Sequence, residues 1–374
     1  MNDAPSKKKV LICTDSFKDY KSSVAIAKEL KQALQDLNSN LDIQALPLAD
    51  GGEGTIAVLA LQKKLPIQYS ETLDPLGRPI RAAWLMDIKH KEAFIGMAEV
   101  SGIELLSKEE RNCFYTSTFG TGQLIKEALD QGAKSIHLFV GGSATCDMGL
   151  GMAAALGHQF FIGEEKIDLP KGKDLSQITR IERSASLPPF KMTVYTDVDN
   201  PLFGERGSAY TYGPQKGASS EEVLDLDNGL RNIHQLILRD SGVDVNFPKA
   251  GAAGGISAGA LYFLGADVQM GTHFLFDLIR VEEAVQNADV VITGEGKLDH
   301  QTFSGKLVKH ICTLAQEKQT IILCGKNELD PSEYRRLNID AVIALKDLAG
   351  KEAKEGQIVD TLHLAAPELE SLMR

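Results

Sequence analysis

The chain has 374 residues, with 51 acidic against 40 basic side chains and a formal net charge of −11. That length suits two domains better than one, and 43% hydrophobic with 24% charged residues describes an ordinary globular protein. The acidic balance and the lack of a Lys/Arg stripe interleaved with aromatics argue against a nucleic-acid partner, and no apolar run approaches the roughly 20 residues of a membrane helix. The basic opening through Lys9 is followed only by Val10-Leu11-Ile12-Cys13 before Asp15, so it reads as a tail before a first strand rather than a secretory signal. Five scattered cysteines show no CxxC or Cys/His spacing, and four of them sit in apolar or helical patterns, which predicts reduced thiols acting as small hydrophobes and a cytoplasmic setting.

In chain order, Val10 to Thr14 is a continuous apolar run, the pattern of a parallel strand buried on both faces. Ser22 or Ser23 can cap a helix whose Val24, Ala27, Leu30, Leu34 and Leu37 recur at helical spacing. Ile43 to Leu46 is a second strand, running into Asp50-Gly51-Gly52-Glu53-Gly54 and a helix from Thr55. The rhythm changes near Asp74, where Leu76 to Met86 and Ala93 to Val100 read as neighbouring strands joined by a polar turn. Ser219 and Glu222 form a capping box for a long helix through about Asp240. From Val285 the first rhythm returns: strand Asp289 to Thr293, helix Lys306 to Ala315, then strands Thr320 to Cys324 and Ala341 to Leu345. A sheet interrupted and resumed predicts an α/β protein with a discontinuous first domain (1–72 and 285–374) and a second α/β domain (73–284) inserted in it.

The chemistry is expected where apolar strands end in glycine turns, because helix N-termini there present unpaired N–H groups to anions. The best phosphate loop is Gly141-Gly142-Ser143-Ala144-Thr145-Cys146-Asp147, between the strand Ser135 to Val140 and a helical Met152 to Leu156. Thr116 to Gly122 is a second, weaker hydroxyl-and-glycine turn. No GxxxxGK[ST] occurs, since Gly305-Lys306 is preceded by His300 and followed by Leu307. Gly149-Leu150-Gly151-Met152-Ala153-Ala154 fits GxGxxA but lies inside the helix, where close packing explains it. Asp15, Asp50, Glu53, Asp197, Asp199, Glu295 and Asp299 all fall at strand ends or in glycine turns. Phosphoryl transfer needs such carboxylates for Mg²⁺ and for a hydroxyl proton, with cations such as Lys18, Lys216 or Lys306 to offset phosphoryl charge.

At these turns the sequence resembles the type-1 glycerate kinases, in order and over nearly the whole chain. The resemblance is carried by Asp15-Ser16-Phe17-Lys18, Ala49 to Thr55, Asp74-Pro75-Leu76-Gly77, Gly120-Thr121-Gly122, Gly141 to Thr145, Asp197 to Leu202, Gly213 to Gly217, Gly251 to Gly255, Thr293 to Gly296, Asp299 and Gly305-Lys306. It departs from the family pattern at Thr14, Asp19, Cys146 and Met148, where Cys146 removes an amide donor and Met148 stiffens the turn. The resemblance implies two α/β domains, one Rossmann-like, with ATP and D-glycerate meeting in a cleft, and 2-phosphoglycerate favoured over 3-phosphoglycerate as product. It implies Asp197, Lys18 and Lys216 as catalytic groups. Asp15, Ser16, Arg78, Gly141, Gly142, Ser143, Thr145, Gln215, Gly254 and Gly255 are then expected to bind substrate or phosphate, and Asp50, Glu53, Asp199, Glu295 and Asp299 to hold Mg²⁺. Asp197 and Asp199, at i,i+2 beyond a strand, would share one face in extended backbone. The alternatives are an NAD-dependent oxidoreductase of a small hydroxy acid, which lacks its early GxGxxG here, and a non-catalytic cleft-closing binding protein. A monomer or homodimer acting on small molecules is expected.

Overall fold

The structure is a computed structural model that describes residues 7–17, 20–184, 187–303, 307–348 and 361–373. Two compact units emerge, one from residues 1–50 and 272–374, the other from 51–271.

The first unit is built on a wholly parallel five-stranded sheet in the order Ala341–Ala344, Gln319–Asn327, Val290–Leu298, Lys8–Thr14, Leu41–Ala45. The apolar runs become strands because both sheet faces are covered: Val10, Leu11, Ile12 and Cys13 are all buried, as parallel sheets require. Helix Ser23–Leu37 starts at Ser22, whose Oγ accepts from the Ala25 N–H. It buries Ile26, Ala27, Leu30 and Leu34 and lies along helix Leu362–Leu372. Ile26, Leu30 and Leu34 each contribute about 2 kcal/mol of burial free energy.

The second unit holds a six-stranded sheet in the order Asp267–Gln269, Lys191–Tyr195, Ser135–Phe139, Glu92–Gly96, Pro79–Asp87, Ile67–Leu73. The first four strands run parallel, and the last two close an antiparallel meander in which Leu85 opposes Phe94 and Met86 opposes Ala93. The strand expected to reach Val100 stops at Gly96. The Met97 N–H takes the Phe139 carbonyl, and the Ser101 N–H then takes the Met97 carbonyl, turning the chain into helix Ala98–Ser101. One face of this sheet carries a core of Trp84, Ile95, Leu124, Ile136, Leu138, Val194 and Ile256. A second core lies around the 22-residue helix Ser220–Ser241, started by the reciprocal Ser219–Glu222 capping box. The units meet in sequence at 50/51 and 271/272 rather than at 72/73 and 284/285. Strand Ile67–Leu73 pairs along its length with Pro79–Asp87, and helix Thr55–Lys63 lies on the same sheet, which carries 51–72 into the second unit. All five cysteines are buried free thiols.

Candidate active site

In the second unit the strand Ser135–Phe139 ends in the loop 141–149, and the loop is locked by close backbone approach. The Gly141 N–H donates to the Gly51 carbonyl, and a β-carbon at Gly141 would stand 2.6 Å from the Gly52 Cα. Two backbone segments therefore touch where any side chain would force them apart. Gly142 accepts from the Ile103 N–H, and Ala144 N–H donates to the Ser101 carbonyl. On the opposite side the kinked start of helix Ala252–Leu264 presses in: Gly254, at φ +79°, would bring a β-carbon within 2.1 Å of the Thr145 carbonyl oxygen, and its own carbonyl takes the Met148 N–H. Gly255 follows in the same left-handed region, against Leu202.

Into this loop reaches Lys216, from the short 3₁₀ turn Pro214–Lys216. Its Nζ donates to Ser143 Oγ at 2.7 Å and to the Thr145 carbonyl at 2.9 Å, and the residue is only 6% exposed. Burial lowers the proton affinity of this ammonium, and negative charge at Cys113, Cys146 and Asp147 opposes that shift. An ammonium has three donors; two are committed, and among the described residues no carboxylate forms an ion pair with it. Thr145 Oγ1, fully buried in the same loop, has no hydrogen-bond partner among the described residues. A buried cation without a counter-ion is costly, and beside an unsatisfied hydroxyl and a glycine loop it forms a receptor for an anionic oxygen.

Asp147 completes the loop and was given no role by the sequence reading. Its buried carboxylate accepts from Thr118 N–H (2.8 Å), Thr118 Oγ1 (2.7 Å), and the N–H groups of Gly149 and Gly151 (3.2 Å each). Burial raises its proton affinity and these four donors lower it. The only advance signal was an acid placed just before a Gly-x-Gly helix start. Glu99 also went unnoticed. It lies in the first turn after strand Glu92–Gly96, with its carboxyl pushed up by burial and then by Glu53, and the backbone N of Glu53 lies beside Gly142.

Cys146, expected to matter as a lost amide donor, is instead a core residue against Cys113. Met148 takes the left-handed conformation at φ +53° with its side chain fully buried, so the turn is held by packing rather than by glycine. Arg78 is committed to two carboxylates, Asp74 and Glu110, each at 2.6 Å, where it braces the turn 74–78. Gln215 is exposed beside Lys216. Asp197 is half-buried and Asp199 exposed, on the irregular segment after strand Lys191–Tyr195.

The first unit gathers a second set at the carboxyl edge of its sheet. The Asp15 N–H donates to the Gly294 carbonyl, and Asp15 Oδ1 accepts from the Ser16 N–H at 2.7 Å. Glu295, the next residue along that strand, accepts from Thr302 Oγ1 at 2.6 Å; burial raises its proton affinity, and Asp299 adds to the shift. Asp299 pairs with Lys297 at 3.0 Å. Asp50 is exposed at the end of the unit's first segment. Lys18 and Lys306 lie outside the described residues. Among the described residues no three His, Cys, Asp or Glu side chains converge as a ready-made metal cage, and no helix is long and apolar enough to cross a membrane.

Comparison with known proteins gives these loops a context. A family model described as "Glycerate kinase family" matches residues 10–366. A glycerate kinase of Halalkalibacterium halodurans is 40% identical over 304 residues, 79% of either chain. The glycerate 2-kinase of Escherichia coli is 34% identical over 343 residues, 90% of either chain. A crystal structure of a putative glycerate kinase 2 from Salmonella typhimurium LT2 superposes with a TM-score of 0.76 at 32% identity, covering 98% of this chain and 99% of the other. The chain belongs to the glycerate kinase family, phosphotransferases with an alcohol acceptor.

Proposed function

We propose that the protein transfers the γ-phosphate of ATP to O2 of D-glycerate, giving 2-phosphoglycerate and ADP. The single observation that carries this reading is Lys216: a buried ammonium held by Ser143 and the Thr145 carbonyl, with capacity for one further acceptor, in a chain of this family. In the reading, Lys216, Ser143 and Thr145 bind an anionic oxygen of substrate and offset charge that builds on the moving phosphoryl group. Asp197 takes the proton of the attacked hydroxyl. The name of the Escherichia coli relative, glycerate 2-kinase, favours O2 over O3.

For Mg²⁺, Glu295 and Asp299 are the donors that fit. Asp299 raises the cost of charge on Glu295, a conflict that a divalent cation relieves, and Mg²⁺ commonly takes only one or two carboxylates beside substrate phosphates. Bound there, the ion would neutralise phosphate charge. Five buried thiols without disulfides support action in a reducing cytoplasm on small molecules alone.

The test is thermal shift followed by turnover. Mg-ATP and D-glycerate should each raise the melting temperature, NADH should not, and the pair should yield ADP. Stabilisation by glycerate without ADP formation would defeat the kinase assignment for this acceptor.

A further inference from the structure

Asp147 touches none of the groups proposed to meet substrate, yet it lies where their positions are decided. Its carboxylate accepts from the backbone and hydroxyl of Thr118, just before helix Phe119–Asp130, and from the Gly149 and Gly151 N–H groups that open helix Leu150–Ala155. Thr118 Oγ1 in turn accepts from the Met152 N–H at 2.9 Å. Each of these groups donates to the Asp147 side chain, which suits an acceptor-only carboxylate. Two residues upstream, the Thr145 carbonyl receives Lys216 Nζ. The loop thus carries a buried anion two residues from the carbonyl that receives a buried cation, and burial disfavours the charge of each.

We propose that Asp147 is a positioning residue for the reaction: its buried carboxylate pins the downstream end of the loop 141–149, and with it the Thr145 carbonyl that receives Lys216 Nζ. This rests on the reading of Lys216 as the anion-binding cation. The groups facing Lys216 are Asp147 and the thiols of Cys113 and Cys146, with Glu222 also acting on Cys113. Burial alone would release the Lys216 proton early; the carboxylate opposes that release.

The test uses kcat/KM against pH for the full-length protein, its Asp147→Asn and Thr118→Val variants, and a Lys216→Met reference, with Mg-ATP and D-glycerate. Asp147→Asn removes the charge and keeps the shape. Its alkaline limb should move to lower pH, and kcat/KM at neutral pH should fall about 10- to 100-fold, the scale for loosening a preorganised site. Thr118→Val removes one donor to Asp147 but leaves the charge, so it should lower kcat/KM without moving the limb. A folded Asp147→Asn with wild-type kcat and KM overturns the proposal. If that variant does not fold, Thr118→Val decides alone: wild-type kcat and KM would overturn the proposal. Full activity in Lys216→Met would instead defeat the underlying reading of Lys216, a separate result from an inactive Lys216→Met beside an unimpaired Asp147→Asn.

Discussion

Replacing Lys216 by Met separates the loop's chemistry from its architecture. Methionine matches the length of the lysine stem and fills the same buried space, but it removes the charge and all three N–H donors. The hydrogen bonds to Ser143 Oγ and the Thr145 carbonyl are lost, and leaving buried acceptors unmet costs about 1–3 kcal/mol. Against this, the fold no longer has to bury an ammonium without a carboxylate partner, a penalty of several kcal/mol. The two effects largely offset, so the melting temperature should stay within about 4 °C of wild type. Catalysis has no such compensation: loss of one donor to the reacting oxyanion typically costs about 10²- to 10³-fold in kcat. The pH dependence adds a signature. Because burial lowers the proton affinity of Lys216, wild-type activity should decline on the alkaline side before an ordinary lysine would titrate. The sign for stability is opposite. The folded state gives up this proton at lower pH than the unfolded state, so wild type gains stability as pH rises through that window, and Lys216→Met does not. Coupled ADP release, read beside urea midpoints at several pH values, measures both. A folded Lys216→Met variant with unchanged kcat/KM would refute the reasoning.

Asp197→Asn should leave the fold intact and lower kcat by about 10²- to 10⁴-fold, the usual contribution of a general base; an unaltered kcat in a steady-state assay would remove Asp197 from that role. Gly141→Ala would place a β-carbon 2.6 Å from the Gly52 Cα, so chemical denaturation should show a loss of about 1–3 kcal/mol together with weakened substrate binding. Glu295→Gln should abolish most of the Mg²⁺-dependent thermal stabilisation seen with nucleotide. In the metal-free protein the raised Glu295 carboxyl contributes stability that is full at acid pH and lost as pH rises through its folded-state value. The variant should lack that dependence in urea unfolding from pH 4 upward.

What the sequence revealed was mostly local. The run Val10 to Thr14 could only be a strand buried on both faces, and Ser219 with Glu222 signalled the helix that the capping box starts. The Gly141-Gly142 turn was readable as a close-approach loop because glycine pairs after apolar strands have few other uses. Long-range pairings were not readable. Lys216 meets Ser143 across 73 residues of chain, and Thr118 meets Asp147 across 29; nothing in either segment names its partner. Arg78 looked free for substrate because Asp74 and Glu110 reach it only through the fold of the turn. Helical spacing assigned Leu37 to the buried stripe, yet it is 54% exposed, while Ile26 is fully buried. The helix ends there, beyond the side chains it packs on.

The most direct measurement is ³¹P NMR of the purified protein with Mg-ATP and D-glycerate. The account predicts a phosphomonoester resonance matching 2-phosphoglycerate, growing in step with ADP. A folded protein that binds ATP yet produces no phosphomonoester would contradict it.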